Sequence, residues 1–594
     1  MLLLNGTLAW CSCTGSSPTW TTTPDSNSVQ TCLNNAKAGD TINISAGSAT
    51  WSTQVTASTG VNLIGATTCT GTGDPNIGGG VISCTDNTNI TLSVDEAFAP
   101  SIASGQFMRI SGVTWTINYV SSHGLIAPSG NHGQVNYRID HNHFVMPASD
   151  SDVIYLVDGY GLVDHNYFQD ATTSGSESSI PVVAGGDFPS HGEQNWNDAT
   201  NLGTNQGLVA EQNYFVSQHL NTEGFFDCYF GAKITVRFNT VVGTELGGCH
   251  GTDTGYPFFG AVVQEVYGNS ATNSTGTQVN VMNVRSGATM AFGNSFAGST
   301  PWNSLILQYL RYGYQNSNAV GWGAAQAGLN WIIPNASTGS WSTGNSLNVP
   351  NYQTNYAYAA GAAVIDSNGC NLQTSAGGKT GSTEPTCPAF GSTVTDNGGV
   401  IWQNVGGTTT ASSMTTAGWC AVNPDTICSA NSTCSALSSG DTCTRYFDAN
   451  GGVYPYRDQP CFGHNQVSMP CYEWNNTGSN IPSPLFTTAT SSIIGQNRDY
   501  YDYMSTGFTG ALGVGSGLLA SAPSTCTAGV AYFATDQGSW NQSGNGFGNG
   551  VLYQCGSGNT WTAYYTPYAY PDPLESAGTG STPSPPTNLT ATAQ

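Results

Sequence analysis

The sequence predicts an all-β protein built as a solenoid of stacked coils. Three observations carry this: six strand-like segments align on one asparagine, their spacing is nearly regular, and residues that favour long helices are scarce. The segments are Ile139–Phe144, Val163–Phe168, Ala210–Phe215, Val236–Val241, Val266–Ala271 and Ala291–Phe296, aligned on Asn142, Asn166, Asn213, Asn239, Asn269 and Asn294. Successive asparagines lie 24, 47, 26, 30 and 25 residues apart. Recurrence at such a period marks units that bury their apolar faces against one another. The 47-residue step is either two coils or one coil with a long loop. A β-propeller needs a longer period and four strands per repeat. The expected fold is a right-handed parallel β-helix solenoid with an inserted small β module and disulfide-stapled loops.

Each repeat position has a physical role. The residue three before the asparagine is always Ile, Val or Ala and should point inward. The residue two after it is mostly Phe and should stack on its counterpart in the next coil. The asparagine can hydrogen-bond its neighbour's amide along the stack, satisfying polar groups that burial would otherwise strand.

Along the chain, residues 1–24 form an N-terminal segment whose MLLLNGTLAWCSC start reads as a signal remnant or a truncated gene start. Residues 25–348 form the solenoid, beginning with a capping helix over 29–38, a Gly39-Asp40 turn and a first strand at Thr41-Ile42. Capping matters because an open solenoid end leaves core and strand edges uncovered. Residues 349–408 read as the inserted β module, and 409–575 as the last coils, long loops and a proline-rich strap from Tyr564 to Leu574. Residues 576–594 form a linker and the start of a fibronectin III-like tail.

Composition limits the partners. The 594 residues include 11 Lys+Arg against 35 Asp+Glu, for a net charge of −24. With 38% hydrophobic residues there is ample material for a core, which excludes a mainly disordered acidic chain. Nucleic acids and anionic membranes are gripped by Lys and Arg, so the shortage of bases argues against both as partners. No apolar run is long enough for a transmembrane segment. The 17 cysteines show no zinc spacing and fall mostly into local pairs: Cys69/Cys84, Cys228/Cys249, Cys370/Cys387, Cys461/Cys471 and Cys526/Cys555. Cys32 could take Cys11 or Cys13. Disulfides point to an oxidising compartment, so the protein is expected to be secreted or on the cell surface.

The Asp-His-Asn-His-Phe and Asp-His-Asn-Tyr-Phe segments at 140–144 and 164–168 are similar to coils of bacterial right-handed parallel β-helix repeat proteins. That group includes pectate lyases and the alginate and chondroitin lyases. The segments His250–Asp253, Asn283–Gly287, Tyr454–Gln459, Tyr472–Asn476 and Tyr564–Leu574 resemble a secreted β-helix family of uncertain activity. The resemblance covers roughly residues 25–575 outside the module; it implies the fold and only weakly a reaction.

The residues two before each ladder asparagine are Asp140, Asp164, Glu211, Arg237, Tyr267 and Phe292. Strand alternation places them on the outer face, with neighbouring coils about 4.8 Å apart. Successive carboxylates at that spacing suit Ca²⁺, and an arginine one coil on is what a polysaccharide lyase wants. Asp140, Asp164 and Glu211 are thus candidate metal ligands, and Arg237 or His250 the candidate base, with Asp253 orienting His250. Arg285 and Arg311 are candidates for gripping a substrate carboxylate. The bland alternatives are a solvated acidic edge with Arg237 as counter-ion, and a disulfide-pinned turn around Gly251. Gly378-Lys379-Thr380 lacks the first glycine of a phosphate-binding loop. The expected function is binding, and Ca²⁺-assisted cleavage, of a polysaccharide or cell-surface glycan. The alternatives are a non-catalytic adhesive, surface-layer or self-assembling fibre protein, and a glycoside hydrolase.

Overall fold

Seven asparagines, one more than the repeat reveals, run as a continuous hydrogen-bonded column through a computed structural model of the chain. The structure describes most of residues 12–307, with its longer breaks at 171–178, 186–199, 218–223 and 250–260. It also describes 330–334, 341–348, most of 352–406, short pieces between 418 and 445, and most of 460–576. The column is Asn142, Asn166, Asn213, Asn239, Asn269, Asn294 and Asn476, each side-chain amide donating to the next side-chain oxygen at 2.9–3.1 Å. The same oxygens accept the backbone N–H of the preceding asparagine, as between Asn213 and Asn239 at 2.9 Å. The second amide hydrogen goes to strand carbonyls, such as Ala210 and Arg237 for Asn239. Among the described residues, every interior polar atom of this column has a partner, as burial demands.

The residue before each ladder asparagine is left-handed: His141, His165, Gln212, Phe238, Gly268, Gly293 and Asn475 have φ between 51° and 67°. That conformation turns the chain sharply between two strands. Before the turn lies a 13-stranded sheet, after it a 10-stranded one, and beyond these shorter stretches of a third. Each circuit visits the three in turn, as in Val135–Asp140, His143–Met146 and Asp152–Val157. All pairings between successive circuits are parallel. The third set is continued by bridges at Ile126 and Gly247.

The interior is apolar. Ile110, Ile139, Val163, Ala210, Val236, Val266 and Ala291 form one inward file. Phe144 stacks on Phe168 at 4.7 Å, whereas Phe225, just before the third-sheet strand Phe226–Tyr229, packs against both Phe168 and Phe215 at 6.0 Å. The apolar file ends at Glu473, which takes the register position after Ala291 and accepts from the Tyr503 backbone N–H at 2.7 Å. Burial raises its pKa to about 7.

The 47-residue step is one circuit with a long excursion, because Asn166 bonds Asn213 directly. A larger excursion follows Leu307. Met290, Ala291 and Phe292 pair directly with Tyr472, Glu473 and Trp474, so the whole stretch between, including the small β module, is inserted between two adjacent circuits. That module contains a four-stranded antiparallel sheet around buried Val364, Leu372 and Trp402.

At the N-terminal end the helix spans Ser26–Asn35, earlier than the expected 29–38, capped by Asp25 accepting from the Ser28 N–H at 2.9 Å. It buries Val29, Cys32 and Leu33 against the open core. A hairpin of Cys13–Ser16 and Thr19–Thr22 lines the sheet edge and is tied to the helix by Cys13–Cys32. The disulfides Cys69–Cys84, Cys228–Cys249, Cys461–Cys471 and Cys526–Cys555 are present. Cys387 is also disulfide-bonded, and Cys370 lies outside the described residues. These bonds fit a non-cytoplasmic location, and among the described residues no helix is long and apolar enough to cross a membrane.

Replacing Asn239 by Ala removes its hydrogen bonds to two neighbours at once. The expected cost is about 3–5 kcal/mol, since each orphaned buried group costs ~1–3 kcal/mol. Asn476→Ala, at the part-buried end of the column, should cost less; denaturant midpoints compare the two.

Candidate functional site

The outer face of the 13-stranded sheet carries two files of side chains, two and four residues before the ladder asparagines. The nearer file is Asp140, Asp164, Glu211, Arg237, Tyr267, Phe292 and Trp474, each in direct register with the next. It passes from acids through Arg237 to a stack of rings spaced 4.5 and 4.3 Å apart. The sequence places these residues together on one face, and the structure does so too.

Their environment differs from a solvent-facing row. Asp140, Asp164, Glu211 and Arg237 have no exposed surface. Two causes combine. The first is ion pairing between circuits: Arg109 binds Asp140 through two bonds of 2.7 and 2.5 Å, and Arg138 binds Asp164 at 2.9 and 2.7 Å. Bidentate pairs of this kind are the strong ones. Sequence reading passed over both arginines, although Arg138-Ile139-Asp140 holds a usable signal: residues two apart on a strand share a face.

The second cause is a cover. A four-stranded sheet, Val514–Gly517, Ala531–Ala534, Val551–Cys555 and Trp561–Tyr565, packs on the aromatic end of the face. The strap that follows then runs over the charged end. Arg237 donates to Glu211 at 2.6 Å, to the Tyr267 hydroxyl at 3.0 Å, and to the strap carbonyls of Tyr568 and Ala569 at 2.6 and 2.8 Å. Arg138 reaches the carbonyls of Leu574 and Glu575 at 3.1 Å. The Asp572 N–H donates to Glu211 at 2.8 Å, and Tyr565 donates to Glu265 at 2.7 Å. Tyr570 stacks on Phe238 at 3.9 Å and donates to Asp74 at 2.6 Å. Asp74 lies beyond the disulfide-stapled strand Thr68–Gly71, so an N-terminal loop pins the C-terminal strap.

The acids fall into two groups. Burial opposes the charge on Asp140 and Asp164, but hydrogen bonds and charge from Arg109, Arg138, His141 and His165 outweigh it and hold both pKa values low. Asp572 is raised to about 7 by burial and the Glu211 charge, and Glu575 to about 11 by burial and its bond to Glu211. Five carboxyls thus meet three arginines, and the excess is handled by protons on Asp572 and Glu575.

A Ca²⁺ ion at Asp140, Asp164 and Glu211 would have to displace the arginines from their oxygens. One group among the described residues, Asp164, His165 and Glu575, brings three possible ligand atoms within 4.8 Å, but Arg138 and His165 already occupy both Asp164 oxygens. Arg285 is half-buried and directly follows the strand Met282–Val284. His250, Asp253 and Arg311 lie outside the described residues.

Arg237→Ala should destabilise the fold by about 3–5 kcal/mol, as removing one partner strands Glu211 and the strap carbonyls. The pH dependence follows from the raised acids. Between about pH 4 and 7 folded Asp572 keeps a proton that the unfolded chain has released, so stability falls as pH rises. Glu575, raised by burial and its bond to Glu211, extends the decline to higher pH. Asp572→Asn and Glu575→Gln should flatten thermal-unfolding profiles across this range; unchanged slopes would refute the assignment.

No protein-family model and no curated protein matches the chain. Among solved structures, it is similar to Geobacillus virus E2 - ORF18 at 12% identity, covering 68% of this chain and 74% of that one, with a TM-score of 0.20.

Proposed function

We propose that the chain is a right-handed parallel β-helix that works outside the cytoplasm as a non-catalytic adhesive or scaffolding protein. The handedness rests on the strong right-handed preference of crossovers between parallel strands. The circuit through three parallel sheets supports the solenoid, and the disulfides support secretion or surface display.

The observation that carries the non-catalytic reading is the covered outer face. β-Elimination needs a base that reaches the α-proton of a bound uronate, with a cation on its carboxylate. Arg237 is fully buried, and its guanidinium is spent on Glu211, Tyr267 and two strap carbonyls. A glycoside hydrolase likewise needs two carboxyls flanking an open sugar site, whereas these acids are paired with arginine beneath the strap. The same contacts suit a durable scaffold, since they tie residues 565–575 to circuits formed hundreds of residues earlier.

Incubation with polygalacturonate, alginate or chondroitin sulfate, with and without Ca²⁺, should leave the ultraviolet absorbance of unsaturated products flat. A Ca²⁺-dependent rise proportional to protein would overturn this reading.

A further inference from the structure

Beside the outer aromatic stack, the turn edge opens into a cavity of about 530 Å³. It lies between the turns at residues 268–270, 293–295 and 475–477, the cover segment 547–549 and the loop at Pro75-Asn76. Two sequence changes along the files create it. The left-handed position before the asparagine carries His141, His165, Gln212 and Phe238 in earlier circuits, but glycine at 268 and 293. A Cβ on Gly293 would lie 2.4 Å from the Phe547 ring, so only glycine lets that ring settle against the turn. The position after the asparagine changes from His143, Tyr167 and Tyr214, stacked at 4.8 and 5.2 Å, to Thr240, Ser270, Ser295 and Thr477. Stacked rings thus give way to a row of small alcohols.

The lining has a consistent chemistry. Ser270, Ser295 and Thr477 face the cavity from successive circuits, and no described residue hydrogen-bonds their hydroxyls. Asn475 and Asn549 add amides, and Phe547 adds an aromatic wall. No charged side chain lines the cavity, in a protein of net charge −24. An anionic ligand would find no counter-charge here, and a hydrocarbon would strand the alcohols and amides. Pyranose rings offer hydroxyls for amides and alcohols and an apolar C–H face for an aromatic ring. The volume falls within the range of small-molecule sites.

We infer that this cavity binds a neutral saccharide, with Phe547 as the stacking surface and the Ser270, Ser295 and Thr477 hydroxyls as part of the hydrogen-bonding wall. The inference goes beyond the scaffold reading and does not depend on it. The test is isothermal titration of the full chain with cellotetraose, mannotetraose, xylotetraose and, as the charged comparison, tetragalacturonate. Thr477→Arg and Ser295→Gln put longer side chains into the cavity from exposed positions, and unchanged thermal unfolding shows that they fold. At least one neutral tetrasaccharide should bind, and both variants should weaken it about ten-fold or more. Absence of neutral binding, binding of tetragalacturonate alone, or neutral binding that both variants leave intact would each overturn the assignment.

Discussion

The constraint on which the structure depends is the asparagine column with its left-handed neighbours. Side chains alternate along a strand, so a slip of one residue would exchange the inner and outer faces of a circuit. Each ladder asparagine prevents this by donating to the next circuit through both its backbone N–H and its side-chain amide, as Asn213 does to the Asn239 oxygen. The left-handed residue just before it sets the bend between two sheets. With register locked, Ile139 to Ala291 must face inward, and Asp140 to Trp474 must face outward.

The outward file shows how a chain poor in basic residues uses the few it has. Arg109, Arg138, Lys233 and Arg237 all neutralise acids on this face. Such pairs lose hydration on burial, and their geometry and extra hydrogen bonds must offset that loss. The strap supplies much of the compensation through its carbonyls, while protons on Asp572 and Glu575 remove the remaining repulsion. The cover is therefore part of the electrostatic design of the face and not only a lid of apolar packing.

Legibility followed physical range. The six asparagines and the apolar file were readable because each is a local pattern repeated at a short period. Asn476 was not, since an insertion places it 182 residues after its ladder partner Asn294. The alignment of Asp140, Asp164 and Glu211 was readable from alternation. Their burial was not, because the atoms that cover Arg237 come from 331 and 332 residues away. Arg138 was visible in principle two residues before Asp140, but its partner is Asp164 in the next circuit. Only stacking reveals that choice. The cavity was invisible for the same reason, as its walls come from segments scattered between residues 75 and 549.

By itself, the sequence determined the repeat, the register and which residues share a face, because backbone sterics and strand alternation act over a few residues. Whether the shared face meets solvent was decided only by the tertiary structure, since solvent exposure is set by what packs on top. The folded strap turned a row of titratable groups, readable as a reaction centre, into a buried ionic seam. The same folding left a neutral cavity beside it, where glycines and small alcohols interrupt the files.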